Sequence, residues 1–396
     1  MDYRGDATVE QAILTVQAMN EPIRDLDARI KIADQNADLH SASFVMGASR
    51  YQLQANVSDF SDPLITGQLY TDALDINQIV DAFANQKAGA KKTASSSTST
   101  SPGFAIELLI EADAMCAGNF RTGPASTIWH TSGRIQEFNS IAIDAYRGNL
   151  RGGFYLALLE NDTYWVTDFS GLNMDLEVVF DQLLEETTKG DVKKGFLSME
   201  GTLSGVASHE REAVWKSLEG ELKVRAIDGA IKQSPILNSV LLATQLPVSV
   251  LFTSKASSLN SLLETVKTKG RNVLDNPVIY EKIEGTFQID TGVAHTEDLH
   301  LDGETVDMLF KGDLDLVKEQ VDMKIRTAPI EPIGSVLRKV PVAGKGMENI
   351  SKSLISLSFT ASGPLYEPKV QLDLVDKLKP KKKKEKKKRK KQSNAP

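Results

Sequence analysis

Five histidines, His40, His130, His209, His295 and His300, are the side chains able to hold a metal or move a proton near neutral pH. His295 and His300 are five apart in a strand-like stretch, which points them to opposite faces. No HExxH or other ligand spacing accompanies them. The single cysteine, Cys116, forbids an intramolecular disulfide or a thiolate cage and leaves the redox compartment open. Asp313 and Asp315 stand beside Lys311 on the polar side of a strand. Catalytic carboxylate pairs need a cleft and a raised pKa, so these read as solvated face charges. Gly344-Lys345-Gly346 runs into Met-Glu-Asn without a preceding strand, as a loop beside a helix does. Nucleophile elbow, P-loop and dinucleotide fingerprint are missing. The expectation is a protein that is not an enzyme and carries no metal and no cofactor.

The elements that would have positioned such chemistry are strands. Residues 306–326 read VDMLFKGDLDLVKEQVDMKIR. Every second residue from Val306 gives Val, Met, Phe, Gly, Leu, Leu; after a break at 317–320, Val321, Met323 and Ile325 alternate with Asp322, Lys324 and Arg326. That is two strands and a turn, oil on one side and charge on the other. The same grammar recurs in residues 27–80 and from IAIDAYRGNLRGGFYLALL onward. An E-G-x-[LF] signature marks MEGTLSG, LEGELKV and IEGTFQI. Leu74–Ile79 and Met174–Val179 look like a degenerate repeat, a meander closed by a helical turn. Helical stretches fall at roughly 235–246, 257–274 and 331–353, and SFTASGPLYEPKVQLDL forms a last hairpin. We count about 18 strands with short links, hence antiparallel pairing. At ~4.8 Å per strand they span about 85 Å, far beyond a flat open sheet.

Length and charge bound the rest. The 396 residues suffice for two or three domains or one elongated one. Segment 1–86 reads as an N-terminal β-repeat, 87–103 (KAGAKKTASSSTSTSPG) as a flexible linker, 104–376 as a β-rich region and 377–396 as a disordered tail. Twelve basic residues and one acidic residue, Glu385, lie between Lys377 and Lys391. The rest of the chain holds 34 basic and 52 acidic residues, a net charge of −18 against +11 in the tail. Such a tail is either a solvated solubiliser or an attachment to an anionic membrane surface. A nucleic-acid arm fits less well, because no aromatic is interleaved and the body is acidic. Neither a signal peptide nor 18 consecutive apolar residues is visible.

What the oily faces touch has two answers: a second sheet, as in a sandwich, or nothing but guests, in one long sheet curled into a trough. The segment from about Ser126 to Leu374 resembles the C-terminal region of the AsmA family of bacterial envelope proteins. The resemblance is carried by YRGNLRGGF, FSGLNMDLEVVF, LEGELKVRAIDGAI, SPILNSVL, IEGTFQIDTGVAHTEDLHLDGETVDMLFKGDLDL, VDMKIRTAPIEPIGSVLRKVPVAGKGM and SFTASGPLYEPKVQLD, with Gly363 to Pro368 fitting the family's ending. It implies a mainly β fold, a long curved antiparallel sheet with a hydrophobic groove and a few short helices. It implies a periplasmic setting at the inner membrane and phospholipid traffic toward the outer membrane, in relatives of bridge-like lipid-transfer proteins. It brings no catalytic residue. The chain departs from the pattern in lacking an N-terminal anchor and in its basic tail, and Met1 reads as falling inside a repeat. The lining candidates are Phe287, Ile289, Leu299, Leu301, Met308, Phe310, Leu314, Leu316, Met323 and Ile325. Each is equally readable as sheet core. The expected partners are acyl chains, a membrane surface and envelope proteins. A scaffold for outer-membrane proteins, acting by strand addition, is the alternative.

Overall fold

A computed structural model describes residues 4–15, 22–76, 105–117, 120–159, 162–183, 192–208, 210–231, 236, 240, 277–304, 306–329, 357–365 and 367–373. The first half contains β1 (Arg4–Leu14), β2 (Ile23–Ala33), β3 (Asn36–Met46), β4 (Ser49–Ser58), β5 (Leu64–Thr71), β6 (Leu74–Asp75), β7 (Ala105–Ala112), β8 (Met115–Ala117), β9 (Phe120–Arg121), β10 (Ala125–Ser132), β11 (Ile135–Ala145), β12 (Gly148–Leu158) and β13 (Thr163–Asp175). Helix α1 (Leu176–Leu183) leads to β14 (Val192–Val206), and α2 (Arg211–Lys216) to β15 (Glu219–Ile231). Then come β16 (Val278–Asp290), β17 (Val293–Gly303), β18 (Val306–Asp315), β19 (Gln320–Pro329), β20 (Leu357–Pro364) and β21 (Lys369–Asp373).

Eighteen of these strands form one sheet, in chain order from β1 to β21 and omitting only β6, β8 and β9. β1 does not pair with β21, so the sheet is not closed into a barrel. The expected mainly β, long antiparallel sheet is what the chain forms. One pair departs from it: β5 and β7 run parallel. A hairpin cannot join parallel neighbours; here β6 and residues 76–104 intervene, enough chain to return to the starting edge. The 87–103 stretch, the helical stretches at 257–274 and 331–353 and the 377–396 tail lie outside the described residues. Of the 235–246 stretch, Ile236 and Val240 are described and helical. β6, β8 and β9 form a separate three-stranded sheet.

Two local features interrupt the regular ribbon. The first is glycine on one face. A Cβ at Gly152 would collide with the Asp168 carbonyl of the next strand, and one at Gly201 with the Glu221 carbonyl. Neighbouring backbone thus leans over this face, and glycine alone leaves room. The E-G-x-[LF] signature has the same origin: Gly201 and Leu203 share that face while Glu200 is exposed on the other. The second feature is the β-bulge. Register shifts interrupt Phe138/Ile141 and Gly171/Met174, where Ser140 and Asn173 take φ of 55° and 54°. One extra left-handed residue changes the side-chain phase and adds twist.

Candidate functional site on the apolar face

Directly paired residues point to the same face, so the registers trace one surface from end to end. Ile30 meets Leu39, Leu39 meets Ala55, and Ala55 meets Gly67. Gly67 meets Leu108, Leu108 meets Trp129, and Trp129 meets Phe138. Phe138 meets Phe154, and through Thr167 and Leu203 the row reaches Gly220 and Ile289. Ile289, Ala294, Leu314 and Val321 complete it toward β20. The opposite face carries the charge: Lys223 with Glu200, Lys282 with Glu284, Lys311 with Glu297.

The ten residues chosen from sequence fall on the apolar face, at its C-terminal end. Phe287 and Leu299 are half-buried, as are Leu314 and Leu316. Ile289, Leu301, Met308, Phe310, Met323 and Ile325 are buried, Met308 and Ile325 completely. All but Phe287, Ile289 and Leu316 belong to or pack against one cluster, which also takes in Tyr280, Phe359 and Val370. Ile236 and Val240 join this larger cluster, with Val240 at 0% exposure. A smaller cluster of Leu218, Ile289 and Ala294 collects Trp165, Trp215, Phe287 and Leu316 around it.

Toward the N-terminal half the same face is open. Ile30, Leu39, Leu53, Leu69, Ile110, Phe154 and Leu156 point to it and are half-buried. Ala28, Ala42, Leu108 and Thr131 are buried within it, and the edge holding Tyr51, Thr71, Ala112, Ala145 and Met174 is buried as well. Beside that edge lie the small sheet, tied to the large one through Gly123 N–H to the Asp144 carbonyl and Asp113 N–H to the Thr71 carbonyl, and α1 with buried Leu176 and Val179.

Two features escaped sequence reasoning. Trp129, Phe138, Phe154 and Trp165 form a row across four strands with ring centroids 6.3, 6.3 and 6.5 Å apart, the outer pairs stacked and the middle pair tilted. Such pairs add to area burial. In sequence they are spaced irregularly, and only the register aligns them. On the same face Trp129 Nε1–H donates to Gln136 Oε1 at 2.9 Å, and Gln136 Nε2–H to Thr131 Oγ1 at 2.6 Å. This satisfies a polar group in an apolar lining.

His295 holds Asp313 at 2.6 Å and Glu297 at 3.2 Å on the exposed face; the hydrogen bond it donates to Asp313 raises its pKa. His300 pairs with Asp307. Burial pushes the Tyr146 and Tyr280 hydroxyls up to about 12, with the Asp228 charge adding to the shift at Tyr280, so both stay protonated. Among the described residues no cluster of three His, Cys, Asp or Glu side chains is placed to hold a metal.

Comparison with known proteins agrees with this geometry. A family model for the YhdP protein matches residues 7–370. The intermembrane phospholipid transporter YhdP of Escherichia coli (strain K12) is 25% identical over 257 residues, 52% of this chain and 20% of that protein. The aligned part is therefore about a fifth of that relative's length. No solved structure matches. The family match runs from the first strand to the last, over a single open sheet with one apolar face: the chain belongs to the YhdP family, within the AsmA-like, bridge-like lipid-transfer proteins that the sequence resembles.

Proposed function

We propose that this chain is a stretch of a phospholipid conduit between the inner and outer membranes, with acyl chains lying on the apolar face and headgroups in water. The observation that carries the reading is the half-open apolar lining from β2 to β13, continuous over strands that no second sheet covers in the described residues. Each methylene moved from water to such a lining gains ~0.8 kcal/mol. A lipid escapes slowly into water but slides freely between equivalent aliphatic sites, and no catalytic group is required. The name of the E. coli relative, an intermembrane phospholipid transporter, supports this reading. The ten residues named from sequence form the packed end of the lining, where the half-buried Phe287, Leu299, Leu314 and Leu316 remain within reach of a chain. The setting is the periplasm. The Lys-rich 377–391 segment supplies attraction to anionic headgroups, worth about 1 kcal/mol per cation near the surface. The comparisons lend nothing to the scaffold alternative. Among the described residues no helix is long and apolar enough to cross a membrane.

Native mass spectrometry of the purified protein tests the reading. Phospholipid adducts are expected on the wild type and should be lost from a Leu53→Asp, Leu69→Asp double variant that keeps its circular dichroism. A wild type free of lipid, and unable to take up fluorescent phosphatidylglycerol from vesicles, overturns it.

A further inference from the structure

The apolar lining has a built-in obstacle. From β17 to β21 the face is mostly buried, with Ala294, Leu301, Met308, Ile325 and Phe359 all under 9% exposed. At the edge bearing the β14–β15 connection the obstruction begins earlier. There Leu218 is buried with Ile289 and Ala294, and Trp165, Leu203, Trp215 and Leu222 pack around that cluster. The position is fixed by Ser217, whose Oγ accepts the Val206 N–H at 2.8 Å. A hydrocarbon chain moving along the aromatic row from Trp129 thus runs into this cluster at Trp165.

The neighbouring element along that edge is the β12–β13 hairpin, and its free end breaks the rule of one oily face. Leu156 and Leu158 point to the lining, as does Trp165. Tyr164 and Val166, which alternate with Trp165, point to the outer face, yet are apolar and 46% and 41% exposed. Leu158 is 38% and Leu159 54% exposed at the tip. Ile135 adds to the outer patch across Ala157. A strand pair wet on one side should carry polar residues there; large apolar residues on both sides of one rim mark a surface with a ligand.

We propose that this hairpin end is a lateral port, where the acyl chain of a phospholipid leaves or enters the lining by passing around the rim. The port rests on the lipid reading above. The aromatic row delivers the chain to Trp165, the cluster around Leu218 stops its advance along that edge, and Leu158, Leu159 and Tyr164 continue an apolar path over it.

The test separates the port from the conduit. Loading with fluorescent phosphatidylglycerol, and transfer to acceptor vesicles of phosphatidylethanolamine and phosphatidylglycerol, are measured on the full chain. Leu159→Asp and Tyr164→Asp change exposed side chains, so folding by circular dichroism and equilibrium loading should match wild type. Transfer should slow by about tenfold, since a carboxylate on the path raises the barrier for a passing chain. Leu159→Lys should slow it as well. Ile279→Asp, at an exposed outer position on β16, should leave it unchanged. Loading without any loss of transfer in the hairpin variants overturns the port and leaves the conduit standing. So does an equal loss in Ile279→Asp, or faster transfer in Leu159→Lys. Absence of loading in the wild type overturns the conduit itself.

Discussion

Met308 and Leu53 carry the same kind of side chain on the same face, and their surroundings predict opposite outcomes. Met308 has 0% exposure in the closed cluster. Met308→Ala should cost about 3 kcal/mol in chemical denaturation, and Met308→Asp should leave the sheet's C-terminal end unfolded, because an unpaired carboxylate there has no partner. Leu53→Asp, in the half-open stretch, should stay folded and lose lipid uptake. His295 gives a pH signature. Its pKa is raised by Asp313, so the pair stabilises the fold below the unfolded value near 6.5, and this contribution fades as pH climbs through the higher folded value. Both side chains are about half exposed, so the effect is small. His295→Gln should flatten that part of a melting-temperature profile and leave the rest intact. Sequence alone identified the face of all ten lining candidates, because alternation is a local signal. It was silent on which of them are sealed, because burial at Met308 depends on Val240 and Phe359, remote in the chain.

Among the elements, close approach of neighbouring strands rests on glycine. Gly152→Val should destabilise by about 3 kcal/mol, since the branched side chain meets the Asp168 carbonyl and the strand pair must move apart. The same substitution at Gly5, where a Cβ meets nothing within 4 Å, should be near neutral; paired melts of the two variants check the contrast. Strand existence was legible where alternation was clean: Val306–Asp315 and Gln320–Pro329 lie where the two oil-and-charge runs put them. The recurring E-G-x-[LF] was legible as a motif, but its cause is a cross-strand collision that needs the register. The aromatic row was hidden for the same reason: Trp129, Phe138, Phe154 and Trp165 have no common sequence spacing.

At the scale of the molecule, charge is divided between two parts. An acidic body and a +11 tail predict vesicle binding that falls steeply with salt. Removing 377–391 should abolish binding to phosphatidylglycerol vesicles while leaving lipid uptake on the face unchanged, as read by co-sedimentation and by loading. The large sheet holds 18 of the 21 described strands, close to the expected count, and its antiparallel order agrees with the short links. The parallel β5–β7 pair was not legible, because its origin is the long connection rather than any strand's own sequence.

That pair has a further consequence. Eight residue pairs in register, from Leu64 with Ala105 to Thr71 with Ala112, join the β1–β5 portion of the ribbon to the β7–β21 portion. A protease cut between 77 and 104 severs the polypeptide without removing any of these eight pairs. The two pieces should then stay together through backbone hydrogen bonds, co-eluting after the nick and reassociating when expressed as separate polypeptides.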